Sequence, residues 1–341
     1  MSSITIKDIA EQLNLSVSTV SKALHDYPDV GVKTKEKVLA LANKLDYQPN
    51  ILAQSLRRKN SKIIGVIVPD ICYHFFSAAI SGIEKVAYDS GYILMLSQTN
   101  ESVEREIINT RSLISNRVAG LLASISQTTK DVEHFRVLQR RQSPVVFFDR
   151  MHQDIKASRV LSNDYQGAFS AVEYLIRTGR KRIAHFSGPL TLNIGQARLK
   201  GYKDALLKYE YPIEDDLIYE GGFNVEDGIK GMNWLINQET QLPDAIFTAN
   251  DEAALGVYEV VKTRGLKIPE DIAVIGFSND PVSALLDPPL TTIEQSAFEI
   301  GKTAATILLE EISSINNGND QQNFTPRIDH FDTRLIVRQS T

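Results

Sequence analysis

The sequence predicts an N-terminal all-α head followed by an α/β core built of doubly wound parallel sheets. Three observations carry this. Residues 6–45 place apolar side chains at helical spacing, broken by short polar turns. From Lys62 onward, short all-apolar runs alternate with amphipathic stretches, the pattern of strands buried beneath helices. Charge divides between the two regions: residues 1–62 hold ten Lys or Arg against six Asp or Glu, a balance of +4, whereas the whole chain is at −5, so the remaining 279 residues carry −9. A basic head on an acidic body fits contact with phosphates.

The head is read element by element. Thr5, with Asp8 three residues on, is placed to cap a helix from about Ile6 to Leu13, whose apolar side chains are Ile6, Ile9, Ala10 and Leu13. After the break at Asn14-Leu15, Ser16 caps a second helix from Val17 to Leu24. In it Val20, Ala23 and Leu24 form the apolar face, and Val17, Ser18, Ser21 and Lys22 face outward. A third helix follows Gly31, with Val38, Leu41, Ala42 and Leu45 closing a small core. Two short helices about so tight a turn make a helix-turn-helix, whose second helix enters the major groove. An ordinary helical hairpin would satisfy the spacing equally well; the basic charge favours DNA.

At Pro49-Asn50-Ile51-Leu52-Ala53-Gln54-Ser55-Leu56-Arg57-Arg58 the chain resembles the lac repressor (LacI/GalR) family of bacterial transcription regulators, and the similarity extends over essentially all 341 residues. The resemblance implies that SVSTVSKAL is a recognition helix and that residues 49–61 are a hinge helix and linker. Leu56 would then be the apolar wedge that unstacks a central base step, and Arg57 and Arg58 would meet phosphates. Taken alone, the segment reads as a flexible basic linker. The positions assigned to DNA are Thr5, Ser16, Val17, Ser18, Thr19, Ser21, Lys22, Asn50, Ala53, Gln54, Leu56 and Arg57. Of these, Val17, Ser18 and Lys22 resemble the base readers: Lys22 can donate to guanine O6 or N7, and Val17 can meet a thymine methyl. Relatives commonly carry arginine where Lys22 stands. Thr19 and Ser21 suit capping, packing or phosphate contact.

The core shows strand runs at KIIGVIVPD, YILMLSQTN, GLLASIS, PVVFFD, RIAHFSG, DAIFTAND and DIAVIGFSND. So many strands in some 280 residues require two sheets. The resemblance implies two periplasmic-binding-protein-like lobes joined by three crossovers, near Ser162-Asn163, Thr291-Ile293 and Phe324-Pro326. The expected division is a head at 1–48 and a hinge at 49–61, followed by the two lobes. The N-terminal lobe takes 62–162 plus about 294–324, and the C-terminal lobe 163–293 plus about 325–341.

Ligands of such sheets sit beyond the carboxyl ends of the strands. After the first run come Tyr73, Phe75 and Phe76; Tyr73-His74 stands where relatives have Asn-Pro, and either phenylalanine could stack on a ring or pack in the lobe. Asp149 follows the fourth run. In GPLTLNIGQARLKGY, Arg198 matches a ligand-clamping arginine of the family, the alternative being a salt bridge to Asp149 or Asp251, and Leu192 and Ile194 make the wall before it less polar. Phe223 matches a stacking aromatic, or anchors a surface loop. Asn250 is suited to a vicinal diol, with Asp251 capping the next helix. Ser278 stands where relatives usually carry aspartate, so either Asp280 swings in or the ligand differs, and Gln295 reaches the cleft.

The expected partners are operator DNA, a second copy of the chain, and a small effector, a sugar or sugar phosphate first and a nucleobase second. The end of the chain, RLIVRQST, has no leucine heptad, which favours a homodimer over a tetramer. No cofactor or metal is expected, because the six His residues show no metal spacing, Cys72 is the single cysteine, and the phosphate-binding and nucleophile motifs of common enzymes are missing. With no run of about 18 apolar residues and no secretory signal, a cytoplasmic regulator rather than a membrane protein or an exported sugar-binding protein is expected.

Overall fold

The computed structural model describes residues 4–47, 61–238, 241–318 and 325–341. The chain divides into two compact units, residues 1–61 and 62–341. The assignments at Asn50, Ala53, Gln54, Leu56 and Arg57 lie outside the described residues.

The head has three helices, α1 (Ile6–Gln12), α2 (Val17–Leu24) and α3 (Val32–Lys44). The Asp8 carboxylate accepts from the backbone N–H and the hydroxyl of Thr5, at 2.6 and 2.8 Å, and so fastens the start of α1. Asn14 takes φ = +50°, which turns the chain sharply, and Ser16 Oγ accepts from the N–H of Thr19 at 3.0 Å to cap α2. Ile9, Ala10, Val20, Ala23, Val30, Val38 and Ala42 are buried together, with Leu41 and Leu45 packed against them. The apolar spacing of three consecutive helices thus closes a core of few side chains.

The second unit holds two six-stranded sheets. The first lobe contains β1 (Ile63–Val68), α4 (His74–Asp89), β2 (Ile93–Gln98), α5 (Val103–Ser115), β3 (Gly120–Ala123), α6 (Glu133–Arg140), β4 (Val145–Phe148) and β5 (Ser158–Ser162). The second contains α7 (Asp164–Arg177), β6 (Ile183–Ser187), α8 (Asn193–Lys208), β7 (Ile218–Glu220), α9 (Val225–Asn237), β8 (Ala245–Thr248), α10 (Asp251–Thr263), β9 (Ala273–Ser278) and β10 (Thr291–Glu294). The chain then returns to the first lobe with α11 (Ala297–Asn316) and β11 (Ile328–Phe331), and ends in the second with β12 (Arg334–Ile336). The sheet orders are β11-β5-β4-β3-β1-β2 and β12-β10-β9-β8-β6-β7, with every pair parallel except β10 with β12. The central strands β1, β3, β4 and β8 are buried throughout, because helices cover both faces. In the first lobe α4 and α11 meet backbone to backbone: a Cβ on Gly82 would stand 2.1 Å from the carbonyl oxygen of Phe298, so only glycine permits the approach.

Two crossings differ from expectation. Thr291–Ile293 belong to β10 of the second lobe, so the second crossing comes at Gln295-Ser296. The third was expected near Phe324-Pro326, but Ile328–Phe331 pair in parallel with Arg159–Ser162 and extend the first sheet. Residues 328–331 therefore belong to the N-terminal lobe, and the chain recrosses at Asp332-Thr333. The free edge of β5 offers a row of unpaired backbone groups, and pairing it satisfies them. Among the described residues, no helix is long and apolar enough to cross a membrane.

Candidate functional site

On the head, α2 presents Ser18 and Lys22 to solvent, whereas Val17, Thr19 and Ser21 are half-buried. Ser16 Oγ is shared by the hydroxyls of Ser18 and Thr19, each at 2.8 Å, so these groups serve the cap before anything else. Lys22 pairs with Asp29, whose carboxyl is held below its usual range by that ammonium. Any partner of Lys22 must displace this exposed ion pair, which is a small cost in water.

In the second unit, the carboxyl ends of both sheets face one another across a cavity enclosing about 400 Å³ of atom-free space, mouth included. It is lined by Tyr73, Phe75, Phe76, Asp149, Ile194, Arg198, Phe223, Asn250, Ser278, Asp280 and Gln295, which are eleven of the twelve residues singled out from the sequence, together with Arg150. Leu192 does not line it. This residue is buried with Ile194, Phe223 and Ala249 in the apolar cluster that also contains Ile67, Phe135 and Phe147 of the first lobe. Its side chain helps to join the lobes rather than to form a wall. Arg150 was missed, although its place beside Asp149 at the end of a strand was the available signal.

Several lining groups are already engaged. Arg198 Nε and Nη2 both donate to Asp164 Oδ1, at 2.9 and 2.7 Å, Nη1 donates to the carbonyl of Ala249, and the guanidinium carbon lies 3.8 Å from the Phe277 ring centroid. Its acid is thus Asp164, not Asp149 or Asp251, because α7 and α8 pack side by side and bring the start of α7 against the second turn of α8. Asn250, rather than Asp251, caps α10: its Oδ1 accepts from the N–H of Ala253 at 3.0 Å, and its Nδ2 donates to the carbonyl of Phe223 at 2.7 Å. Both ends of that amide are therefore committed. Asp251 instead accepts from the Asp280 N–H and from the hydroxyls of Ser283 and Thr292, which clamps the loop after β9 onto β10. Gln295 lies across the crossing strands, donating to Ser162 Oγ at 2.9 Å and accepting from Ser278 Oγ at 3.2 Å.

Acceptors remain. Asp280 Oδ1 is buried with no hydrogen-bond partner among the described residues, and the Asp149 carboxylate has Arg150 Nε at 3.7 Å. Ser278 adopts φ = +118° and Asn279 φ = +53°, and this backbone turns Asp280 into the cavity lining. Burial pushes the carboxyls of Asp149 and Asp280 up to about 7, against the pull of Arg150 on the first and aided by Asp251 and Glu252 on the second. The folded protein keeps these protons, whereas the unfolded chain releases them near pH 4, so the stability they contribute falls as pH rises from about 4 to about 7. Asp280→Asn is therefore expected to melt roughly 5 °C above the unaltered protein at pH 8, a margin that closes below pH 4. Equal melting at pH 8 would show that Asp280 is not desolvated.

Two loops join the lobes directly. Thr191 Oγ1 donates to the carbonyl of Gln127 at 3.0 Å, and Asn193 both accepts from the Met151 N–H and donates to the Asp149 carbonyl, at 3.0 and 3.1 Å.

Comparison with known proteins gives consistent matches. Residues 5–50 match the model of the lacI family of bacterial regulatory proteins, and residues 172–341 match a periplasmic binding protein-like domain. The catabolite control protein A of Priestia megaterium is 33% identical over 339 residues, covering 99% of each chain. The HTH-type transcriptional repressor CytR of Escherichia coli (strain K12) is 34% identical, over 99% of this chain and 96% of its own. Among solved structures, the lac repressor dimer bound to operator and the anti-inducer ONPF superposes with a TM-score of 0.85 at 27% identity, covering 100% of this chain and 99% of its own.

Proposed function

The chain belongs to the lacI family of bacterial regulatory proteins, and on that premise we propose that it is a dimeric, effector-controlled transcriptional repressor of the cytoplasm. Two heads would read the half-sites of a pseudopalindromic operator through Ser18 and Lys22 of α2, and the cleft between the lobes would take the effector. The assignment of residues 49–61, with Leu56, as the DNA-kinking hinge rests on the sequence. The dimer reading is supported by apolar side chains exposed around the edge strand of the first sheet, Ile93 and Leu96 on β2 with Tyr88 and Ile108 beside it, which a second copy would cover.

A neutral sugar is the favoured effector. The observation that carries this is the pairing of Arg198 with Asp164: the cavity is left with acceptors, Asp149 and Asp280, beside the aromatic faces of Phe76 and Phe223. Hydroxyls can donate to the carboxylates while a ring face meets the aromatics. A phosphate would meet an excess of carboxylates, because Arg150 is likewise paired, with Glu101. A nucleobase is the second reading, favoured by the same aromatic faces.

The melting temperature of the protein against mono- and disaccharides, sugar phosphates and nucleobases tests this, since a ligand of the native state stabilises by mass action. A concentration-dependent rise with neutral saccharides alone is the expected result; a rise confined to sugar phosphates would overturn the charge argument. For the head, Lys22→Ala is expected to weaken binding to a selected operator by about tenfold to a hundredfold, the value of one good base contact. A loss equal on operator and random DNA would reassign Lys22 to phosphate.

Regulation requires only that the effector prefer one arrangement of the lobes, and DNA must then alter effector affinity by the same factor.

A further inference from the structure

The tripeptide Asp149-Arg150-Met151 is, beside Thr191, a place where the lobes clasp one another. Asp149 holds φ = +61°, a left-handed conformation uncommon for a residue with a side chain, and the turn it makes sends the backbone on either side of Arg150 to Asn193 of the other lobe. The Arg150 side chain, 3% exposed, enters the cleft. Its Nη1 donates to both carboxylate oxygens of Glu101, at 2.7 and 3.0 Å. The guanidinium carbon lies 5.5 Å from the ring centroid of Phe76 in its own lobe and 4.7 Å from that of Phe223 in the other, both within cation–π range. Its Nε, buried, has no hydrogen-bond partner among the described residues.

The charge of Arg150 is answered in its own lobe, by Glu101 and, 3.7 Å from Nε, by Asp149, yet the side chain spans the cleft and presents a flat cation to an aromatic face of the opposite lobe. We propose that Arg150 is a resident occupant of the cleft: it fills the slot against Phe223 and holds the lobes together, and an effector that takes this slot enters by displacing it. The last clause rests on the effector reading above; the clasp itself does not. The displacement also constrains the entrant, which must offer Phe223 a flat face or the face of a saccharide ring in place of the guanidinium. A cleft already closed by its own arginine leaves the effector less to gain from closure, so the effector's leverage on DNA comes from how differently it holds the lobes than Arg150 does.

The test is hydrogen exchange of the full-length protein without DNA or effector, read at the Met151 amide, whose acceptor belongs to the other lobe. In Arg150→Ala, exchange at Met151 is expected to quicken by about tenfold or more, while amides in the central strands of both sheets stay protected. About 10 mM methylguanidinium is expected to slow it again by filling the vacated slot. Unchanged exchange at Met151, or an acceleration that methylguanidinium does not reverse, would overturn the proposal. Should Arg150→Ala lose protection in the strands themselves, Arg150→Met, which keeps the aliphatic stem, takes the same two readings. Neither reading involves operator or effector, so a failure here leaves the regulatory function standing, and a failure of operator binding leaves the clasp standing.

Discussion

Arg198→Ala is expected to lower the melting temperature of the 62–341 unit by on the order of 10 °C, with no ligand present. The side chain is buried, and so is its partner Asp164. Truncation removes three hydrogen bonds and leaves a carboxylate in the interior without its cation, a loss that typically costs about 3–5 kcal/mol. In a unit of this size each kcal/mol moves the midpoint by roughly 2–4 °C. The Asp164 carboxyl is already raised by burial even with Arg198 beside it, so after truncation it would take up a proton at a still higher pH, and the deficit would grow from acid to neutral conditions. Arg198→Met combined with Asp164→Leu is expected to recover much of the loss, since no charge is then left unpaired. Scanning calorimetry of the three variants decides it. A ligand-free midpoint within about 2 °C of the unaltered protein would return Arg198 to the role of a free effector clamp.

Val20→Asp is expected to abolish specific operator binding while the 62–341 unit melts as before. Val20 is fully buried at the centre of the head, among Ile9, Ala23 and Val38. A head with so few core side chains has only a few kcal/mol of stability in hand, and a carboxylate buried without a partner costs more than that. The helices would come apart, and with them the presentation of Ser18 and Lys22. Because residues 1–61 and 62–341 are separate compact units, the damage should stop at the boundary. Operator affinity measured beside the calorimetric profile tests both halves of the statement. Retained operator binding would mean that α2 does not hold the head together, and a shifted core transition would mean that the units are coupled.

Much of the fold was legible because its signals are local. Ser16 and Asp8 cap helices through groups two or three residues away, and runs such as IIGVIV can only be buried strands once they recur between amphipathic stretches. Part of the cavity lining was legible for a related reason: in a parallel sheet the strand ends converge, so residues just after a strand, such as Asp149 and Asn250, meet there, whereas Arg198, Phe223 and Gln295 were placed by the resemblance to the family. Roles within the cavity were less so. Asn250 and Asp251 are neighbours with similar capping power, and only the packing of the loop at Asp280 and Ser283 onto Asp251 settles which one caps. Leu192 and Ile194 stand two residues apart at the start of α8 and both join the apolar cluster shared with the opposite lobe, yet only Ile194 also lines the cavity.

The sequence by itself determined the helical head, the succession of strands and helices, and two sheets rather than one. These follow from periodicity, capping and the need to bury continuous apolar runs, all of which act between near neighbours in the chain. Only the tertiary structure decided that Arg198 answers Asp164, that Ile328–Phe331 complete the first sheet, and that Arg150 lies across the cleft against Phe223. Each of these joins residues 34 or more positions apart. At that range several partners are chemically equivalent, and the choice among them belongs to helix packing, to an unpaired sheet edge and to a left-handed turn at Asp149.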